Sequence, residues 1–162
     1  MPEPAPRHRG DGPPSSPAAG LVVTNLGEGA TLHLRVPGLP EVTDARRRLH
    51  AWLTAAHLGS DLVDDVVLAA QELLVNAAEH AYLAHHARPV HLLARLTAPR
   101  LTVSVTDTGS WQAPALDPGH RGHGLTMVRA LADGVEITSL SAGTQVTATF
   151  TTGPRGTGQA AG

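Results

Sequence analysis

Apolar and polar residues alternate with a period of two in several segments of this chain, which predicts strands. The clearest case is Thr31-Leu32-His33-Leu34-Arg35-Val36, where every second residue is apolar. The segment Leu21-Val22-Val23-Thr24 can pair with it across the turn Gly27-Glu28-Gly29. The same pattern predicts further strands near 89–97, 100–107, 135–140 and 145–151.

A second pattern, with apolar residues three or four positions apart, predicts helices. The predicted helices cover about 41–58, 61–84 and 123–132, and Ser60 is the predicted N-cap of the second. Because short turns join neighbouring strands, we predict antiparallel pairing for most of the sheet. The fold class that follows is α+β, a two-layer sandwich in which a mixed, mostly antiparallel sheet is covered on one face by about three helices.

Composition separates one folded domain from two tails. Residues 1–19 are rich in Pro, Gly and Ser and contain little apolar material, so we predict a disordered tail there. Residues 153–162 have the same character. The predicted domain covers 20–152, within a chain of 162 residues that is long enough for one independent core.

Charge and residue usage narrow the classes of function. The net charge is −2 with neutral histidines, which gives no general electrostatic attraction for nucleic acid or an anionic membrane. The chain has no Cys, which excludes disulfides and thiolate metal ligands. It has no apolar run long enough for a membrane helix, and its N-terminus lacks the apolar core of a signal peptide, so we predict a cytoplasmic protein.

The second predicted helix carries a polar stripe that could hold a ligand. Four polar residues share this face: Asp65, Glu72, Asn76 and Glu79. Glu72 and Asn76 are one turn apart, so their side chains can reach the same ligand, and Asn is unfavourable inside a helix because it competes for backbone hydrogen bonds. The alternative interpretation is a solvated polar face. The opposite face is apolar and should pack on the core: Val63, Val67, Ala70, Leu74, Ala77 and Ala81.

Asp107 ends a predicted strand at a position where an apolar residue is expected. Leu101, Val103 and Val105 share one face of this strand, and Asp107 continues their parity. Its carboxylate should therefore point towards the helix layer, where burial is unfavourable without hydrogen-bond partners. A carboxylate at the edge of a pocket suits the amino group of adenine. The alternative is a strand-end Asp that turns outward to begin a turn with Thr108-Gly109.

The segment Gly122-His123-Gly124-Leu125 leads from a loop into the third predicted helix. Glycines allow a close approach of the backbone, and the N–H groups at a helix N-terminus favour phosphate. Arg121, His120 and His123 can add positive charge beside such an anion site. The Rossmann fingerprint is absent, and the Walker pattern needs a Lys that this chain does not contain. The alternative is a plain junction between a loop and a helix.

The histidine and arginine clusters carry less information. Four histidines lie close in sequence: His80, His85, His86 and His91. They lack the convergent arrangement of three or four ligands that zinc requires, so we predict no metal site there. The run Arg46–Arg48 is interpreted as a solvated helix face, with a partner-binding patch as the alternative. Trp52 is predicted to lie in the core, whereas Trp111 borders the predicted ligand site.

These motifs resemble those of the GHKL (Bergerat-fold) ATPase superfamily, with its histidine-kinase-like ATPase domain. They are most similar to those of anti-sigma-factor serine kinases and their actinobacterial ATP-binding relatives. The segment 71–82 resembles the N box, 107–111 the G1 box and 121–125 the G2 box, while Gly143-Thr144 matches the final motif. The resemblance covers roughly 30–151, and the order and spacing of the motifs are more specific than any one of them.

The resemblance implies a role for each matching residue. Glu72 matches the catalytic base, Asn76 the Mg²⁺ ligand and Asp107 the residue that reads adenine. The residues implied in binding ATP, besides Asn76 and Asp107, are Gly109, Arg121, Gly122, His123, Gly124, Leu125 and Thr144.

The implied function is an ATP-binding anti-sigma factor with serine/threonine protein kinase activity, which acts with Mg²⁺ as a homodimer. Such a protein sequesters a sigma factor and phosphorylates a STAS-type anti-sigma-factor antagonist, without binding nucleic acid directly and without a membrane.

Departures from the family pattern support an alternative function. Trp111 stands where the fuller G1 pattern has a second glycine, and the short loop over 110–121 contains Pro114 and Pro118. No Lys is present to contact phosphate, which leaves Arg121 or the histidines for that task. The alternative is a non-catalytic, ATP-dependent binding module, a degenerate kinase that acts as a regulatory switch.

Overall fold

The computed structural model describes residues 21–24, 29–83, 89–108, 123–141 and 143–153. The strands are β1 (Leu21–Thr24), β2 (Ala30–Val36), β3 (Val90–Thr97), β4 (Arg100–Asp107), β5 (Gly134–Leu140) and β6 (Gly143–Thr151). The helices are α1 (Val42–Ala55), α2 (Ser60–Leu83) and α3 (His123–Leu131), and a short 3-10 helix at Leu39–Glu41 precedes α1. The predicted tail at 1–19 lies outside the described residues, as does 154–162.

The strands form one sheet in the order β1-β2-β3-β4-β6-β5, and every neighbouring pair is antiparallel. The prediction of a mixed sheet is therefore wrong in that detail for the described strands. The helical connection through α3 leaves β5 parallel to β4, but β6 returns between them. Because β6 lies between β4 and β5, these two parallel strands are not neighbours, and β5 lies at the sheet edge.

The core lies between one face of the sheet and the helices. The inward residues of the central strands are buried, and Leu92, Leu101 and Phe150 are each 0% exposed. Helix α1 adds Leu49 and Leu53, which are also fully buried. With so few aromatic residues in the chain, the core is built mainly of Leu, Val and Ala. Each fully buried Leu or Val contributes about 1.5–3 kcal/mol through removal of apolar surface from water. The predicted α+β two-layer sandwich is confirmed.

The apolar stripe of α2 packs on this core much as its periodicity predicts. Four of its residues are buried: Val63, Ala70, Leu74 and Ala77. Val67 is half-buried, and the side chain of Ala81 is not described. Trp52 of α1 is 7% exposed, which confirms its predicted place in the core.

Two helix ends differ from the sequence prediction for identifiable reasons. The N–H of Val63 donates to the carbonyl of Gly59 at 3.0 Å, so Gly59 and not Ser60 takes the cap position of α2. Helix α1 ends earlier than predicted because His57 has a left-handed backbone, with φ of 55°. The N–H groups of His57 and Leu58 donate to the carbonyls of Thr54 and Leu53, the pattern of a Schellman motif.

None of the helices in the described part of the chain combines the length and the apolar character needed to cross a bilayer.

Candidate functional site

The polar stripe of α2 meets the first turn of α3. Glu72 and Asn76 are both half-buried on α2, and Gly124 is the second residue of α3. A Cβ built on Gly124 would stand 2.9 Å from Oε2 of Glu72, 3.0 Å from Nδ2 of Asn76 and 3.5 Å from Oδ1 of Asn76. The α3 backbone therefore touches both polar side chains, which brings the N box and the second glycine of the G2 box together.

This contact gives Gly124 a second task besides the one read from its sequence. From the sequence, we expect glycine here because it lets the backbone come close to phosphate. The structure adds that a side chain at this position would compete for space with a carboxylate and an amide. Absence of a Cβ is thus a packing requirement of the site, independent of any ligand.

Helix α3 is anchored so that its N-terminus stays at this place. Val128 is 0% exposed, and Leu125 and Leu131 are half-buried against the core. The first N–H groups of a helix have no acceptor within the helix, and the helix dipole is positive at this end. An anion near the first turn of α3 would be stabilised by both effects. The stripe of Glu72 and Asn76 would lie beside it.

Asp107 and Thr144 form the other end of the candidate site. They are directly opposed across β4 and β6, and the N–H of Thr144 donates to Oδ1 of Asp107 at 3.3 Å. Thr144 is 2% exposed, so it faces the core, and opposed residues of an antiparallel pair lie on the same face. The half-buried Asp107 carboxylate therefore points inward, which confirms the predicted parity and not the outward-turning alternative.

Gly143 holds this end in place through a close backbone contact, which the motif Gly143-Thr144 alone does not reveal. A Cβ on Gly143 would lie 1.8 Å from the carbonyl oxygen of Asp107 and 2.8 Å from Cα of Thr108. Only glycine lets β6 begin this close to the end of β4. In the sequence, this contact is indicated by a Gly at the start of a predicted strand. Glycine in a strand often marks a bulge or a close approach of another backbone.

Several predicted residues are not brought into the described geometry. Gly109, Arg121 and Gly122 lie outside the described residues, as do Trp111 and the other members of the loop over 110–121. The backbone of His123 begins α3, but its side chain is not described. The binding roles of these residues stay predictions.

The donor atoms beside Gly124 suit a hard cation. Asn76 offers an amide oxygen and Glu72 a carboxylate, both of which are oxygen ligands of the kind that Mg²⁺ prefers. Within the described residues, no group of three or more His, Asp or Glu side chains is arranged to hold a metal ion. Mg²⁺ usually binds through one or two protein oxygens together with substrate phosphates and water. The amide oxygen of Asn76 therefore fits a role as a Mg²⁺ ligand beside a bound phosphate, with the Glu72 carboxylate next to it.

A groove lies elsewhere, between α1 and α2. It has a volume of about 440 Å³ and is lined by Arg46, Arg47, His50, Asp64, Val67, Leu68 and Gln71. Nη1 of Arg46 donates to Oε1 of Gln71 at 3.1 Å. Asp44 forms ion pairs with Arg47 at 3.6 Å and with Arg48 at 2.6 Å, so this run reads as a solvated helix face.

Comparison with known proteins gives a family for this chain. The model of the histidine kinase-like ATPase domain family matches residues 37–150, more than half of the chain. The match begins just before α1 and ends within β6, and it includes Glu72, Asn76, Asp107 and Thr144.

Two solved structures have the same fold. The RsbU and RsbW domains of Rv1364c from Mycobacterium tuberculosis share 25% identity with a TM-score of 0.60, covering 75% of this chain and 32% of that one. The chain thus spans about a third of that protein. The SiaB-SiaC complex from Pseudomonas aeruginosa shares 13% identity with a TM-score of 0.58, covering 74% of this chain and 88% of that one. At that identity, the second likeness shows the fold alone.

Proposed function

The chain belongs to the histidine kinase-like ATPase domain family, and from that premise we propose that it is an ATP-binding anti-sigma factor with serine/threonine protein kinase activity. It sequesters a sigma factor and phosphorylates a STAS-type anti-sigma-factor antagonist, in the cytoplasm and as a homodimer. The observation that carries the proposal is the contact of Gly124 with both Glu72 and Asn76, because it joins a candidate base to a candidate phosphate site.

In this proposal ATP lies on the inner face of the sheet, where β4 ends and β6 begins, between these strands and α2 and α3. Oδ1 of Asp107 already accepts the N–H of Thr144, and the carboxylate can accept a further hydrogen bond from the adenine amino group. Gly109 and Thr144 complete the adenine end. The phosphates are held at the start of α3 by the residues Arg121, Gly122, His123, Gly124 and Leu125.

Asn76 would hold Mg²⁺ through its amide oxygen. When bound, the cation would offset the negative charge of the phosphates. Glu72, one turn away, accepts the proton of the serine or threonine hydroxyl of the antagonist. The hydroxyl oxygen forms a bond to the γ-phosphorus, the bond from that phosphorus to the β–γ bridging oxygen breaks, and ADP leaves with the electron pair.

Radiolabelled phosphate transfer tests the proposal directly. The protein is incubated with Mg-ATP labelled at the γ-phosphate and a candidate STAS-type antagonist, and labelled antagonist is measured over time. Glu72→Gln should lower the transfer rate by about 10²–10⁴-fold, the usual contribution of a general base. ATP affinity should change little, since an amide of the same size replaces the carboxylate.

Glu79→Gln is the matched control, because Glu79 lies on the same helix and is exposed. It should leave the rate unchanged. Equal rates for wild type and Glu72→Gln would rule out Glu72 as the base.

A second candidate function is favoured by Trp111, which replaces the second glycine of the G1 box. The protein would then bind ATP without turnover and use occupancy of the site as a switch for partner binding. Titration calorimetry would detect Mg-ATP binding while the transfer assay gave no labelled product. Transfer that depends on Glu72 would contradict this second function.

A further inference from the structure

The sheet face that points away from the helices carries a cluster of positive charge on β2, β3 and β4. The inward residues of these strands alternate with outward ones, and five of the outward residues are basic or can become so. We call this cluster the basic sheet face; its members are His33, Arg35, His91, Arg95 and Arg100. All are exposed except His91, which is half-buried.

Strand register gives the spacing of these residues. Arg35 is directly opposed to His91 on β3, and Arg95 lies four residues beyond His91 on the same face of that strand. Arg100 begins β4 and is opposed to Thr97, six residues beyond His91. With strands about 4.8 Å apart and about 3.3 Å per residue, the cluster is about 10 Å wide across three strands and about 20 Å long.

No carboxylate balances this charge within the described strands. The outward positions of β2, β3 and β4 contain no Asp or Glu, and the first outward carboxylate is Glu136 on β5, at the sheet edge. Within the described residues, Arg35, Arg95 and Arg100 make no ion pair. Arg47 and Arg48 on α1, in contrast, are both paired with Asp44. The carboxylate of Asp133 lies near Arg100, since it accepts the N–H of Thr151, which is opposed to Arg100, but it forms no ion pair with it. The charge of Arg35 and Arg95 is thus uncompensated in a chain whose net charge is −2.

His91 makes the charge of this face depend on pH. Nδ1 of His91 and Nε2 of His33 are 3.2 Å apart, so one ring donates a hydrogen bond to the other in the neutral pair. Burial lowers the pKa of His91, and His33 and Arg35 lower it further by repulsion. Besides Arg35, the neighbour of His91 on β4 is the uncharged Thr106. His91 therefore becomes positively charged only as pH falls below the usual histidine range.

We propose that the basic sheet face is a docking surface for an acidic segment of a partner protein. Exposed cations without partners attract an opposite charge and steer its approach. The small hydroxyl side chains beside them, Thr102, Ser104, Thr106 and Thr147, leave the neighbouring surface open. This surface lies on the opposite side of the sheet from Glu72 and Asn76, so the proposal is independent of the kinase proposal.

Charge also argues against two other occupants. A second copy docked face to face would bring identical cation clusters together across its twofold axis, which is repulsive. Nucleic acid binding draws on a long tract of cations, since duplex DNA carries one charge per about 1.7 Å of its axis. Three arginines spread over about 20 Å match a short acidic segment of about six extended residues.

Fluorescence anisotropy with a labelled peptide of alternating Glu and Ser tests the proposal. At low ionic strength the wild-type protein should bind this peptide, and added salt should weaken binding. The double variant Arg35→Gln/Arg95→Gln should weaken it by at least about tenfold. Arg46→Gln/Arg47→Gln, on the helix layer, is the matched control and should bind like wild type. Circular dichroism checks that both variants are folded.

A second readout uses the histidines. Affinity should rise as pH falls from about 7.5 to about 5.5, and His91→Gln should reduce this rise, while His50→Gln on α1 retains it. The proposal is overturned if both arginine double variants lose affinity equally, or if a peptide of Gln and Ser binds as well. It is equally overturned if single-stranded DNA of equal charge binds more tightly through the same arginines, or if Arg35→Gln/Arg95→Gln changes self-association in sedimentation without changing peptide affinity.

Discussion

Gly124 shows how one hydrogen atom in place of a side chain can determine the geometry of a site. Its neighbours are the tips of two side chains, not backbone, so a methyl group here can be accommodated if those tips move. Gly124→Ala should therefore displace the Glu72 carboxylate and the Asn76 amide more than it lowers the stability of the fold.

We expect Gly124→Ala to lower Mg-ATP affinity by at least about tenfold while changing the free energy of unfolding by no more than about 1 kcal/mol. Titration calorimetry and urea unfolding give the two values. Gly134→Ala is the matched control, because a Cβ there meets nothing within 4 Å. A large loss of stability in Gly124→Ala with unchanged ATP affinity would contradict this account.

His91 should make stability depend on pH with a definite sign. Its pKa is lowered in the folded protein, by burial first and then by His33 and Arg35. The unfolded chain therefore binds more protons as pH falls through the usual histidine range. The free energy of unfolding should decrease as pH is lowered below about 6.5, and it should level off below the folded-state pKa.

Urea midpoints measured between about pH 8 and about pH 5 test this prediction. His91→Gln should have a shallower dependence on pH than wild type, and His50→Gln should keep the wild-type slope. The prediction is wrong if His91→Gln and wild type lose stability in parallel.

At the scale of elements, periodicity was sufficient to predict every described strand and α-helix, because one-sided burial leaves a clear pattern at each, but it did not predict the 3-10 helix at Leu39–Glu41. The parity of Asp107 was predictable for the same reason. The all-antiparallel sheet was not, since the position of β6 between β4 and β5 depends on long-range pairing. The cap at Gly59 and the close approach at Gly143 depend on local backbone geometry that residue type alone does not specify.

The pairing of β4 with β6 should be sensitive to Gly143. A Cβ at this position would overlap the carbonyl of Asp107, and backbone cannot move aside as a side-chain tip can. We expect Gly143→Ala to lower the free energy of unfolding by about 2–3 kcal/mol, in the upper range for overpacking. Urea unfolding measures this, and Gly134→Ala, on the neighbouring strand, should cost much less. Equal effects of the two substitutions would show that the close approach is relieved at little cost.

At the scale of the molecule, ligand binding and folding should be linked. If Mg-ATP binds only the folded protein, it should raise the free energy of unfolding by about 2.7 kcal/mol at about a hundredfold excess over Kd. Asp107→Asn should remove this gain, because the amide presents N–H groups to the adenine amino group while it can still accept the N–H of Thr144.

Thermal unfolding with and without Mg-ATP measures the effect. Asp64→Asn, at an exposed position of α2, should respond to Mg-ATP as the wild type does. An undiminished response in Asp107→Asn would remove Asp107 from the adenine end.

The position of β6 between two other strands has a consequence for how firmly each end of the site is held. Thr144 lies on a strand that is paired on both sides, with Asp107 of β4 and with Ser139 of β5, so its backbone can move only when the sheet itself opens. Glu72 and Asn76, in contrast, meet α3 through the tips of their side chains, which can change rotamer while Val128 stays buried in the core. One end of the cleft is thus as durable as the core, and the other can adjust at its side chains while the core stays intact.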